Sequence, residues 1–307
     1  MEDMLIGIPR GMLYYRYQVI FRQFFDALGI RTLVSGPTTH SLAEAGEAVT
    51  IDEACLALKL YMGHVQSLLG RCDAVLIPRV CGYGRGREMC PRFHGLYDQV
   101  TNVFRGSGQR FLSFNVDGRH GMDEEDAFID LGESLGRSKK ASRQAYLQAK
   151  KEDQRQWKQR VARQGALFAR DGLKILIAAH SYVVEDQYIG KPILDFLKSS
   201  GAVPIRADVA DRELALKRSV RLSPTCKWEM SREILGGIDL YRDRVDGIIL
   251  LSTFPCGPDA MVNELLLRRL AGIPMLNLVL DGQNGTAGLE TRLESYLDII
   301  RFKKGEL

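Results

Sequence analysis

The run Leu173-Lys174-Ile175-Leu176-Ile177-Ala178-Ala179 is an apolar stretch of strand length that closes on the polar triplet His180-Ser181-Tyr182. A helix-spaced segment follows at 189–199, and Gly201 then introduces a second short strand at 203–205. A strand, a helix and another strand in that order form the unit from which parallel sheets are built. The pattern continues in the same half with strands expected at 246–252 and 274–280, and helices at 260–270 and 286–300.

The first half repeats the rhythm. A short apolar strand at 5–8 stops at Pro9-Arg10-Gly11, and at 17–28 Ile20, Phe21, Phe24, Phe25 and Leu28 recur on one helical face. Gly29 leads into a strand at 31–34, and further strands are expected at 74–78 and 111–116. The reading is α/β: two flavodoxin- or Rossmann-like parallel-sheet lobes with an interdomain cleft, at 1–136 and 171–307. A helical linker at 137–170 joins them. That linker carries eleven basic residues against two acidic ones and a thin apolar stripe of Trp157, Val161 and Leu167. Such a charge run is either a solvated linker or a docking face for an acidic partner.

The chain of 307 residues is 45% apolar and 26% charged, an ordinary composition for two globular cores. A formal net charge of +4 is too mild to argue for nucleic acid. The acidic start Met1-Glu2-Asp3-Met4 is unlike a signal peptide, and no apolar run approaches the ~18 residues of a membrane span. A cytoplasmic protein is expected, with its six cysteines reduced.

In doubly wound sheets, ligands sit beyond the carboxyl ends of the strands. The ends expected here carry Pro9-Arg10-Gly11, Cys81, Asn115, His180, Phe254-Pro255-Cys256 and Asp281. Four cysteines fall in polar or glycine-rich loops: Cys55 before a helix, Cys81 after a strand, Cys90 before Pro91, and Cys256 where a strand turns into a helix. Any one cysteine alone is more often a packing residue, and no CxxC pair strengthens the case. Placement is what points to ligation, since a helix N-terminus favours the thiolate that a metal requires. Cys72, at the start of a strand, and Cys226, in an irregular region, fit less well. His180 is a candidate general acid. Glu53, His64 and His94 are polar neighbours of the cysteines. The loop Asp281-Gly282-Gln283-Asn284-Gly285-Thr286 is either an anion-binding turn or a plain turn capped by Thr286. The P-loop pattern GxxxxGK[ST] is absent, so ATP hydrolysis is not expected of this chain.

The run Glu53-Ala54-Cys55-Leu56-Ala57-Leu58-Lys59 with Gly63-His64-Val65 resembles the first cysteine motif of the 2-hydroxyacyl-CoA dehydratase family. More closely, it is similar to the dehydratase-like region of large acyl-CoA dehydratase activase proteins. Cys90-Pro91, Phe254-Pro255-Cys256-Gly257-Pro258-Asp259 and the stretch 177–188 ending in Asp186-Gln187-Tyr188 extend the likeness over nearly the whole chain. The resemblance implies an iron–sulfur cluster, a [4Fe–4S] cubane, held in the cleft by Cys55, Cys90 and Cys256, with Cys81 as a further candidate. The related double-cubane proteins use six cysteines, which is also the number here. It further implies an anaerobic, low-potential dehydratase or reductase component reduced by a separate ATP-dependent activator protein. Such a component acts on an acyl-CoA or another small molecule at an open iron, as a homo- or hetero-dimer. A non-enzymatic electron carrier or assembly protein and a metal-free two-lobed binding protein are the alternatives.

Overall fold

The structure is a computed structural model that describes residues 4–282 and 287–305. It contains two α/β units, each built on four parallel strands. The first comprises Met1–Lys158 together with the short segment Lys227–Glu229; the second comprises Gln159–Cys226 and Met230–Leu307.

In the first unit β1 (Leu5–Ile8), β2 (Arg31–Val34), β3 (Ala74–Gly82) and β4 (Arg110–Asp117) lie in the order β2-β1-β3-β4. Helix α1 (Tyr14–Ala27) buries Ile20, Phe21, Phe24 and Phe25 of the expected face and Tyr17 with them, while Leu28 is the half-buried C-cap residue. Those rings meet Phe114 of β4, which stands 4.7 Å from Phe128 of α6 (Glu124–Ser134). Each large side chain so buried contributes on the order of 1.5–3 kcal/mol, so this aromatic cluster is what fastens α1 to the sheet. β3 runs on to Gly82, past the stop expected at Pro78, because it outruns β1. Its register with β1 covers only Ala74 and Val75, so at Pro78 one flank of the strand carries no ladder to lose.

Helices α2 (His40–Ala48) and α3 (Leu56–Gln66) cross with their backbones almost touching. A Cβ at Gly46 would lie 1.9 Å from the Lys59 carbonyl, and one at Gly63 would lie 2.2 Å from that of Leu42. This crossing holds α3 in place, and Cys55 is the N-cap residue of α3. Two short helices, α4 (Pro91–His94) and α5 (Leu96–Val103), follow β3.

The stretch expected as a linker is one helix, α7 (Lys139–Leu167). The boundary between the units falls inside it, after Lys158. Its buried stripe is Ser142, Ala145, Tyr146 and Ala149, whereas Trp157, Val161 and Leu167 are only half-buried. Tyr146 stacks on Phe128 of the first unit, and Gln164 donates to the Arg206 and Val209 carbonyls of the second.

The second unit repeats the plan with β5 (Lys174–Ala178), β6 (Val203–Arg206), β7 (Gly247–Thr253) and β8 (Met275–Leu280) in the order β6-β5-β7-β8. Its helices are α8 (Ser181–Val184), α9 (Gly190–Ser199), α10 (Arg212–Ser219), α11 (Glu229–Tyr241), α12 (Gly257–Arg269) and α13 (Ala287–Lys304), with a 3-10 turn at Arg242–Arg244. Leu176, Ile205, Leu235, Ile238, Ile248, Leu250 and Leu266 form the core beneath them.

Lys227–Glu229 returns to the first unit and completes it. The backbone of Glu88 accepts from Glu229 (2.7 Å) and donates to Lys227 (2.9 Å), so the segment adds a short parallel bridge. The Glu229 carboxylate is fully buried and takes two bonds from Arg87 Nε, at 3.0 and 3.1 Å.

Candidate functional sites at the strand carboxyl ends

Both sheets reverse their strand order once, between β1 and β3 in the first unit and between β5 and β7 in the second. At such a reversal the connections leave to opposite sides and open a crevice at the carboxyl ends. Of the residues singled out in the sequence, Cys81, His180 and Cys256 stand at or just after these ends.

In the first unit Cys55, with extended backbone, is the N-cap residue of α3, and Cys90 is that of α4. Their segments are tied together, since Arg92 Nη2 donates to the Glu53 carbonyl at 3.2 Å. Cys81 lies within the last residues of β3 rather than after it, and its carbonyl accepts from Met89 at 3.0 Å. Burial pushes the Cys81 thiol up; Arg79 opposes this, but the Asp117 charge and hydrogen bond add to it. Cys81 is therefore a poorer source of thiolate than a helix-capping position provides. Burial likewise pushes the Cys72 thiol up, and Cys72 Sγ reaches the Leu68 carbonyl at 3.5 Å. A Cβ on Gly7 would lie 2.6 Å from that sulfur, so Cys72 packs beneath the sheet.

His64 is a structural residue. It is fully buried, with Nδ1 3.0 Å from Ser35 Oγ and Nε2 3.0 Å from Thr38 Oγ1, and it pins the loop after β2. Burial, with the nearby Arg10 charge, drives its pKa down to about 3, so the ring is neutral. His94 bonds the Met89 carbonyl through Nε2, and its own carbonyl accepts from Arg79.

In the second unit Cys256 is the N-cap residue of α12 and His180 that of α8. Both stand at the β5/β7 reversal, and Asp259 joins them. Asp259 Oδ1 accepts from His180 Nε2 at 2.8 Å and also takes a hydrogen bond from the Cys256 thiol. His180 is almost wholly buried, and its Nδ1 finds no hydrogen-bond partner among the described residues. Burial alone would push its pKa down, but the charge and hydrogen bond of Asp259, with Asp208 and Glu233, outweigh it and hold the pKa up. The role of Asp259 was not anticipated; the available signal was an acidic residue in the first turn of a helix opened by a cysteine. Cys226 packs, half-buried, against the core of this unit. Of the glycine loop after β8, residues 283–286, including the expected N-cap Thr286, lie outside the described residues.

Among the described residues, neither unit brings together three or more His, Cys, Asp or Glu side chains able to hold a metal ion. Neither unit alone therefore offers the three-thiolate set that the resemblance implies. No helix among the described residues is long and apolar enough to cross a membrane.

Two doubly wound sheets, with cysteines at helix N-cap positions in both units, define the class: a two-unit α/β protein. Residues 5–209, more than half of the chain, match the family model described as CoA enzyme activase uncharacterised domain (DUF2229), and the chain belongs to that family. No curated protein matches it. Among solved structures it is similar to the SBP FpvC from Pseudomonas aeruginosa in complex with Mn2+. That pair shares 13% identity over 98% of each chain at a TM-score of 0.29, which is too distant a likeness to support an argument.

The family corrects the functional expectation. An iron–sulfur dehydratase or reductase component, reduced by a separate activator, is overturned by membership in a family of CoA enzyme activases. The matched domain is one described for CoA enzyme activases, not for the iron–sulfur dehydratase component.

Proposed function

We propose that this chain works on the activating side of an acyl-CoA dehydratase system, as a cytoplasmic domain through which a CoA enzyme activase engages its dehydratase. The observation that carries this reading is the match of residues 5–209 to the activase family. The exposed lysines of α7, Lys139, Lys140, Lys151 and Lys158, supply a basic face suited to an acidic partner. The cofactor we assign is an iron–sulfur cluster, with Cys55, Cys90 and Cys256 as the thiolates offered to it. Support for that choice is chemical: all three occupy helix N-cap positions, where the backbone favours sulfur in its anionic form. His180, oriented by Asp259, is the polar group proposed to act beside Cys256.

The test is anaerobic. The purified chain is titrated with a 2-hydroxyacyl-CoA dehydratase, and its effect on activation of that enzyme is measured with ATP and reductant present. Binding together with a change in activation rate supports the reading; absence of both rejects it. Iron and sulfide analysis of the same preparation tests the cofactor separately. Cys55→Ala, Cys90→Ala and Cys256→Ala should each lower the iron content, whereas Cys72→Ala should leave it unchanged.

A further inference from the structure

Away from the strand ends, three arginines of the second unit converge on one carboxylate. Arg218 lies at the end of α10, Arg221 follows it, and Arg242 follows α11. Asp239, on α11, has a side chain only 1% exposed. Arg218 Nε stands 2.7 Å from its Oδ2, Arg221 Nη1 3.7 Å from Oδ2, and Arg242 Nη2 3.7 Å from Oδ1. None of these approaches is aligned as a hydrogen bond. Both Asp239 oxygens, and the Nε atoms of Arg218 and Arg242, find no hydrogen-bond partner among the described residues.

The carboxylate thus draws the three guanidiniums together by charge, with the Nε atoms of Arg218 and Arg242 buried. Three positive groups face one buried negative group. Among the described residues, the only other carboxylate in ion-pair range of them is Asp243, 3.8 Å from Arg242 Nε and 87% exposed, where water screens it. Each guanidinium presents five N–H donors in a fixed fork, and the three arginines are one-third to three-fifths exposed. Positive charges gathered this closely repel one another unless an anion joins them. Convergence on a point suits a compact, multiply charged anion with several acceptor oxygens, whereas an acidic protein face suits a spread array. Helix ends do attract arginine, but that preference does not draw three of them onto one carboxylate.

We propose that Arg218, Arg221 and Arg242, held over the buried Asp239, form a binding site for a terminal phosphate group. It is separate from the cysteine-bearing strand ends and does not depend on the function proposed above. Phosphate of this kind comes free, on a nucleoside diphosphate, or as the 3′-phosphate of coenzyme A. Calorimetric titration of the full chain with inorganic phosphate, ADP and coenzyme A, at matched ionic strength, distinguishes these sources by rank of affinity. Arg221 is the most exposed of the three, so Arg221→Gln should leave the melting temperature unchanged. The same substitution should weaken binding of the preferred ligand about tenfold, as expected for one charge-assisted bond. Arg221→Lys should recover only part of that loss, because the fork is gone. No binding by any of the three ligands overturns the proposal. So does an Arg221→Gln variant that binds as tightly as the wild type.

Discussion

A neutral imidazole at the centre of the first unit makes His64 sensitive to acid. An unfolded histidine takes a proton near pH 6.5, whereas His64 in the fold resists protonation down to about 3. Between those values the unfolded chain holds one more proton, so stability falls as pH drops from about 6.5 towards 3. The slope contributed by this one group is at most about 1.4 kcal/mol per pH unit. His64→Gln keeps an amide for Ser35 and Thr38 but cannot titrate, so denaturant midpoints measured from pH 7 to 4 should decline less steeply than in the wild type. Equal slopes would mean that His64 takes up its proton in the fold as readily as in the unfolded chain. At this scale the sequence was informative about position and less so about role. The placing of Cys55, Cys90, Cys256 and His180 at element ends followed from local turn and cap signals. His64 looked like a neighbour of Cys55, yet both its nitrogens serve the β2 loop. Asp259 and His180 are joined across 79 residues of chain, a distance that local patterns do not span.

Helix packing carries the next prediction. With a Cβ at Gly46 only 1.9 Å from the Lys59 carbonyl, Gly46→Ala forces α2 and α3 apart. The expected loss is at least about 1–3 kcal/mol, the usual cost of overpacking, read as a lower chemical-denaturation midpoint. An unchanged midpoint would show that the crossing is loose. The same geometry explains a helix that was not foreseen. α11 contains Gly236-Gly237, which reads as a breaker in sequence, but there a Cβ would lie 1.8 Å from the Ala215 and Ala207 carbonyls. Tertiary contact selected glycine against its helix propensity. In α7 the basic surplus is partly spent inside the fold: Lys150 pairs with Glu124, Arg143 with Glu125 (2.7 Å) and Arg160 with Glu185 (2.5 Å). Lys150, paired in this way, is not among the lysines left for docking. Reversing Lys139, Lys140 and Lys151 to Glu should weaken dehydratase binding at low salt and matter little at high salt. Binding that ignores both charge and salt would return α7 to a solvated helix.

At the scale of the molecule, two rounds of strand and helix alternation were enough to expect two parallel-sheet lobes, and two are present. The activase-related family was legible in the cysteine motifs, but a role apart from the iron–sulfur component was not. Nor was the return of Lys227–Glu229 to the first unit, since an irregular stretch gives no sign of which sheet it joins. The Arg87–Glu229 pair within that unit makes an asymmetric prediction. Glu229 is fully buried and Arg87 nearly half exposed. Arg87→Ala strands a buried carboxylate and should cost about 3–5 kcal/mol. Glu229→Gln releases a cation that water can reach, so it should cost less. Equal losses, measured by denaturant unfolding, would contradict the burial that separates the two.

That returning segment also bears on how the gene can be reshuffled. Arg87 and Glu229 are separated by 141 codons, and the first two strands of the second unit's sheet, β5 and β6, are encoded between them. A single crossover between related genes anywhere in that interval pairs an Arg87 from one parent with a Glu229 from the other. Parents that have drifted apart at this contact would yield chimeras with a mismatched first unit, however intact each sheet remained. The coding sequence should therefore be inherited through this interval as one block, and libraries of chimeras should be depleted of breakpoints between codons 87 and 229.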